Sequence, residues 1–497
     1  MGSRVLYASL FIASTAAFAC GKHHLPEKPD AGNDAGVPPD ACTTLACDVV
    51  QCEPKGLPPT TITGTVFAPN GTLPLFGVTV YVPFSDPGAL PPGVQCDRCS
   101  DDLPGGAIAQ TTTDEAGNFT LENVPATSNV PVVIQVGKWR RQLTIPNVAA
   151  CQTLQVTTAD TRLPSSYHDA TPLTTLDGSG APKVDMPMIA ISTGDADALE
   201  CLPLKLGVDP SEITNDVGPG HVHLYTNAKN AKGGGQGAKQ FQANWPGSMT
   251  PAGDAFGDAT VMWGDTAHLG AYDIVMLSCE GGQFPESKPQ SSLEALRDYA
   301  NEGGRVFMSH WHNIWIGGEI GNGSAHGIPE WEALTTWNFN APQNDASQLA
   351  VIDETVDKGS NYAQWMLNVG GSTVRDQVTV DQPRYTLMSA AGSATERMVW
   401  VDPAQELASS NPAGETSIQD LQLTTPVDAT DDNKCGKVVF SDMHVSSGST
   451  SSTGVPYPNV PPAPNVTGGC STSDLSPQEK ALAFIFFDIA TCVGSIQ

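Results

Sequence analysis

The sequence predicts a multidomain protein, an all-β sandwich followed by an α/β domain with a mostly parallel sheet. Three observations carry this expectation. Residues 58–165 hold six short β-rich runs parted by turn residues. The stretch Tyr272–His312 reads strand, helix, strand, and both strands are continuously apolar, the pattern of a parallel sheet buried on both faces. Glycine and proline are abundant, 49 and 40 residues, which favours β structure and long loops over helical bundles.

The chain of 497 residues has room for about two to four domains and a sizeable core. Its formal net charge is -29. That excludes the nucleic-acid binders, because no broad basic surface is available to neutralise phosphates. Acidity of this kind suits an exposed, dissolved surface but names no partner.

Residues 1–19 read as a targeting segment. Arg4 opens it, Val5 to Phe18 is mostly apolar, and Ala17-Phe18-Ala19 is a small-residue cleavage signal. The apolar run is too short to span a bilayer. Cleavage would leave Cys20 first, and this junction resembles a bacterial lipoprotein, which implies lipidation at Cys20, membrane attachment and, with Gly21 following, the outer membrane. Ala17 stands where such motifs carry leucine. Plain secretion after the same cut is the other reading. Twelve cysteines in an exported chain predict disulfides, and lipid on Cys20 would leave an odd number; Cys279, at a buried strand end, is the one expected to stay free.

Residues 20–57 read as a tether, rich in Pro, Gly, Asp and Ala and without apolar period. Cys42, Cys47 and Cys52 within it fit bridges better than a zinc knot. The sandwich, 58–165, follows, with a turn at Asp114–Gly117. Gly64-Thr65-Val66, Gly77-Val78-Thr79-Val80, the turn Thr113-Asp114-Glu115-Ala116-Gly117-Asn118-Phe119 and Val124-Pro125 resemble the carboxypeptidase regulatory-like family. The resemblance implies a transthyretin-like sandwich of non-catalytic type. Cys96 and Cys99 lie in an insertion outside the family pattern, and a bridge, with Cys151 as one candidate partner, is expected there. Trp139, flanked by Lys138, Arg140 and Arg141, forms the densest basic cluster of the chain. It is either a binding surface for carbohydrate or an anionic envelope polymer, or a charged strand that protects a sheet edge.

Residues 166–185 read as a connector, and the α/β domain runs over 186–497. MIAIST is its first strand, ending in a loop with Asp195, a candidate binding residue; Asp197 and Glu200 fit a helix cap, and Pro203 should shorten that helix. HVHLYTN is a strand whose His221 and His223 sit at the wrong end for a site. AKGGGQGAK lacks the Lys-Ser/Thr ending of a phosphate loop. Ser291 and Glu294 have capping-box spacing ahead of the central helix. A long Trp- and Gly-rich stretch after His312 suits pocket walls, and 356–371 holds a short helix. ERMVWV and CGKVVFSDMHV are further strands, and Ser476, Pro477 and Glu479 open a final helix.

Ligands of open α/β sheets bind beyond the carboxyl ends of the strands. Cys279, Glu280, His310, His312, Asp442 and His444 all fall at such ends. Taken together, the Gly194 loop, YDIVML, the helix into Gly303-Gly304-Arg305-Val306-Phe307 and the late GKVVF strand resemble the flavodoxin-like class I glutamine amidotransferase-like fold, and within it the ThuA-like proteins. The order of parts also resembles a set of bacterial lipoproteins without established activity. The amidotransferase cysteine elbow is missing: Ser309-His310-Trp311-His312 stands in its place. Glutamine hydrolysis is therefore not expected. Three readings stay open. One is a surface protein that binds a carbohydrate or cell-surface partner. The second is a metal-dependent hydrolase or sugar-modifying enzyme, with His310, His312, Asp442 and His444 holding zinc or a similar divalent ion and Glu280 as general base. The third is thiol chemistry at Cys279, which needs a depressed pKa.

Overall fold

Residues 44–170, 183–194, 197–226, 257–321, 326–339, 347–381, 383–401, 417–445 and 474–494 are described by a computed structural model. Cys20, Cys42, Asp195 and the glycine-rich 231–239 loop lie outside these residues.

All six β-rich runs form strands: β1 (Thr61–Thr65), β2 (Thr79–Pro83), β3 (Ala107–Thr112), β4 (Asn118–Glu122), β5 (Ser128–Val136) and β6 (Trp139–Asn147). β7 (Thr153–Gln155) and β8 (Val184–Asp185) join them. They build a three-stranded sheet, β4-β1-β7, and a five-stranded sheet, β3-β2-β5-β6-β8. Alternation buries Phe119 and Leu121 from one sheet with Val80, Val82, Val132 and Ile134 from the other. The expected turn forms, with Asp114 Oδ1 accepting from the amides of Ala116 and Asn118. β8 comes from the connector and pairs with β6, so that segment belongs to the sheet.

The α/β region contains β9 (Ile189–Ser192), β10 (Ile213–Thr214), β11 (Val222–Thr226), β12 (Gly257–Asp258), β13 (Ile274–Leu277), β14 (Arg305–Ser309), β15 (Thr335–Trp337), β16 (Gln348–Ile352), β17 (Gln377–Val380), β18 (Leu387–Ala390), β19 (Thr395–Val401), β20 (Ser417–Thr425) and β21 (Gly436–Ser441). Its large sheet is mixed. β10, β11, β9, β13, β14 and β21 run parallel, and β20, β19, β16 and β17 add an antiparallel wing. The expected strand–helix–strand unit is β13, helix Gln290–Asn301 and β14. Sequence order reverses at β9, between β11 and β13.

Local details depart from expectation. The helix at Gln290–Asn301 starts after Pro289 without a side-chain cap, so Ser291 and Glu294 form no capping box. Asp197 and Glu200 do not cap a helix either; only a short turn follows, and Pro203 lies in the four-residue helix Leu202–Lys205. The final helix, Pro477–Ala490, does carry its capping box between Ser476 and Glu479.

Trp139, Arg140 and Arg141 are buried, which corrects the binding-surface reading. β6 is an inner strand, and Trp139 packs on Phe486 and Phe487 of the final helix. Arg140 pairs with Asp185 at 2.7 Å and Arg141 with Asp169 at 2.9 Å. Lys138 reaches Asp273 at 2.6 Å. These cations fasten the β region to its neighbours.

Three disulfides occur among the described residues: Cys52–Cys151, Cys96–Cys435 and Cys99–Cys492. Cys151 therefore pairs with the tether cysteine, and the insertion cysteines staple onto the α/β region. Among the described residues, no helix is long and apolar enough to cross a membrane. Both features are compatible with export.

Candidate active site at the strand ends

Three strand ends converge on one buried group. Cys279 follows β13, His310 follows β14 and His444 follows β21, three strands adjacent in the sheet or one apart. One ligand atom from each lies within 4.8 Å of the others. Cys279 Sγ is 3.6 Å from His310 Nδ1. The His310 and His444 rings meet edge to face with centroids 5.6 Å apart.

The backbone shapes this convergence. His310 has φ +28°, in the left-handed region that non-glycine residues seldom adopt. It stands at the turn from β14 into a short helical segment, His310–Gly317, and the turn directs its ring across the sheet end. Strain of this kind is tolerated where surrounding contacts over-determine it. Asp197 supplies several. Its carboxylate accepts from Ser309 Oγ at 2.8 Å and from the Val445 amide at 2.9 Å, and its carbonyl accepts from Ser278 Oγ at 3.2 Å. One residue thus ties the loop after β9 to the ends of β13, β14 and β21. Gly194 allows that loop to lie on the Cys279 carbonyl, where a Cβ would collide. Gln478 of the final helix donates to the His444 carbonyl at 2.6 Å.

The electrostatics favour neutral ligands. Burial holds both His310 and His444 below the ordinary imidazole range, His444 at about 3, so both rings are neutral at neutral pH. Burial pushes the Cys279 thiol up to about 12. The depressed pKa required for a free nucleophilic thiolate is therefore not found, and the thiol-chemistry reading loses its premise. Both ring nitrogens of His444 are buried and hydrogen-bond to nothing among the described residues. Unpaired buried polar atoms of this kind cost about 1–3 kcal/mol.

The other expected site residues are not part of this three-residue group. His312 Nε2 donates to the Ser278 carbonyl at 3.0 Å, and Trp315 Nε1 donates to His312 Nδ1 at 2.9 Å. With both nitrogens engaged, this histidine braces the strand ends. Glu280 Oε2 accepts from the buried Lys288 at 2.6 Å and lies 3.8 Å from His312. Asp442 accepts from Thr386 at 3.1 Å through one oxygen, while burial raises its carboxyl to about 7. His221 and His223 lie at the far end of β11, and His223 bonds Tyr272 at 2.8 Å. The organising role of Asp197 was not visible in sequence, where the residue merely precedes a helix-like segment.

No family model matches this chain, and no curated protein matches it. Among solved structures it is similar to a ThuA-like protein from Bacteroides uniformis, at 9% identity and a TM-score of 0.28, covering 60% of this chain and 88% of that one. It is also similar to a chain of a cohesin–X-dockerin complex from Acetivibrio cellulolyticus, at 19% identity and a TM-score of 0.17, covering 30% and 85%. These overlaps are low.

Proposed function

We propose that this chain is an exported cell-envelope protein whose α/β domain holds a divalent transition metal between Cys279, His310 and His444 and performs metal-dependent hydrolysis or sugar modification. The observation that carries this reading is His444: a buried imidazole whose two nitrogens have no hydrogen-bond partner among the described residues, facing a second neutral imidazole and a thiol. A metal would satisfy all three groups together. One sulfur and two imidazoles suit zinc or a similar borderline-soft ion. Three protein ligands leave a coordination position open, as catalytic rather than structural sites do. Such an ion would supply Lewis acidity to a substrate oxygen. Asp197 and the His310 turn would hold the ligands in place, and Asp442 would stand beside them as a proton carrier.

The domain assignments belong to the same proposal. The β region is read as a transthyretin-like, carboxypeptidase regulatory-like module and the α/β region as ThuA-like. Export followed by lipid attachment at Cys20 would place the chain at the outer membrane. The reading as a binding protein for carbohydrate lost its candidate surface when Trp139, Arg140 and Arg141 proved buried.

Elemental analysis of the purified mature protein, wild type beside His310→Ala/His444→Ala, tests the site. Near-stoichiometric zinc, iron or manganese, absent from the double variant, is the expected result. No metal in the wild type after reconstitution would overturn it.

A further inference from the structure

A second concavity lies at the other end of the large sheet. It is a groove of about 880 Å³ between the outer face of the five-stranded sheet, the 96–103 segment and the start of β14. The Cys96–Cys435 and Cys99–Cys492 bridges frame it. Two staples make its walls rigid before any ligand arrives, which reduces the ordering cost of binding. Its volume falls in the range of small-ligand clefts.

The chemistry of the lining narrows the ligand. Thr79, Thr112 and Gln135 lie in register across β2, β3 and β5, with Gln110 two residues along β3 on the same face. Neighbouring strands space such groups about 4.8 Å apart. Asp102 stands exposed on the facing wall. Thr79, Gln110, Thr112 and Asp102 make no side-chain hydrogen bond within the described residues, so their hydroxyl, amide and carboxylate groups are available.

The cations of the groove are committed elsewhere. Arg305 donates to the carbonyls of Gly303, Cys435, Asp97 and Thr491. Arg98 donates to the Asp432 carbonyl and pairs with Asp101. Lys138 is paired with Asp273. Among the described lining residues, an anionic ligand would thus meet only positive charges that already have partners. An apolar ligand would strip water from hydroxyls and amides without replacing it, which is unfavourable. A chain of neutral hydroxyls can exchange hydrogen bonds with every one of the available groups. We infer that this groove binds a neutral glycan segment, at a site separate from the strand-end histidines.

The test is calorimetric titration of the mature chain with maltohexaose, cellohexaose, mannohexaose and chitohexaose, beside oligogalacturonate and oligolysine. At least one neutral oligosaccharide should bind. Gln110→Ala/Thr112→Ala should weaken it by about tenfold or more, as expected for two lost hydrogen bonds. Asp102→Ala, on the opposite wall, should weaken it as well and guards against a folding defect in the first variant. His310→Ala should leave it unchanged. Absence of neutral-glycan binding, preference for the charged oligomers, or binding indifferent to both groove variants would overturn the assignment.

Discussion

At the scale of the residue, buried charges are held by close partners of opposite sign. Lys288 and Glu280 are both almost wholly inaccessible and 2.6 Å apart. Breaking such a buried pair by removing one member costs about 3–5 kcal/mol. Lys288→Met should therefore lower urea stability by that amount at neutral pH, and a loss below about 1 kcal/mol would mean that Glu280 is not held by this pair. Asp488 shows the opposite balance. Burial alone would raise its carboxyl, but Lys358 at 2.6 Å and Lys437 at 3.7 Å outweigh it and draw it down to about 2. Its folded pKa is thus below the unfolded value. The stabilisation is complete above the ordinary carboxylate range and disappears as pH falls toward 2, an amount on the order of 2 kcal/mol. Asp488→Asn should flatten that part of the acid-unfolding profile; an unchanged slope would refute the assignment.

At the scale of the element, the final helix is the one most fully specified by local chemistry. Ser476 accepts from the Glu479 amide, Glu479 returns the bond to the Ser476 amide, and Pro477 occupies a position that needs no donor. Ser476→Ala should cost about 1 kcal/mol. Phe484, stacked at 4.3 Å on Tyr362 and packed beside Trp365, fixes the helix against Gly359–Asn368. Phe484→Ala should cost about 3–5 kcal/mol, and chemical denaturation of the two variants separates capping from packing. A smaller effect for Phe484→Ala than for Ser476→Ala would reverse this ranking. β20 illustrates a strand that resists reading. Its SIQDLQLTT carries the polar Gln419, Asp420 and Gln422, yet all three are buried, in the strand that joins the antiparallel wing to β21. Gln419 donates to the Arg384 carbonyl at 2.6 Å, a partner far away in sequence.

At the scale of the whole molecule, two disulfides close very long loops between the β insertion and the α/β region, with sequence separations of 339 and 393. A bridge of this kind restricts the unfolded chain and contributes about 2–5 kcal/mol. Cys435→Ser and Cys492→Ser should each lower the denaturant midpoint. The double variant should lose less than the sum, because both bridges close nearly the same loop. Full additivity in guanidinium unfolding would show that they act independently.

The sequence by itself determined six strands of the β region, the strand–helix–strand centre and the capped final helix. Each depends on local periodicity, turn chemistry or capping, which a short window contains. It also placed Cys279, His310 and His444 at strand ends, since apolar runs stop where they stop. Only the tertiary structure decided which of those ends meet. Asp197 gathers three of them, Trp315 and Ser278 occupy His312, and the final helix covers Trp139. Those outcomes depend on contacts between residues up to hundreds of positions apart, and no local pattern records them. Of the antiparallel wing, ERMVWV was legible as β19, but β20 was not: its buried Gln419, Asp420 and Gln422 mask the apolar pattern of a buried strand.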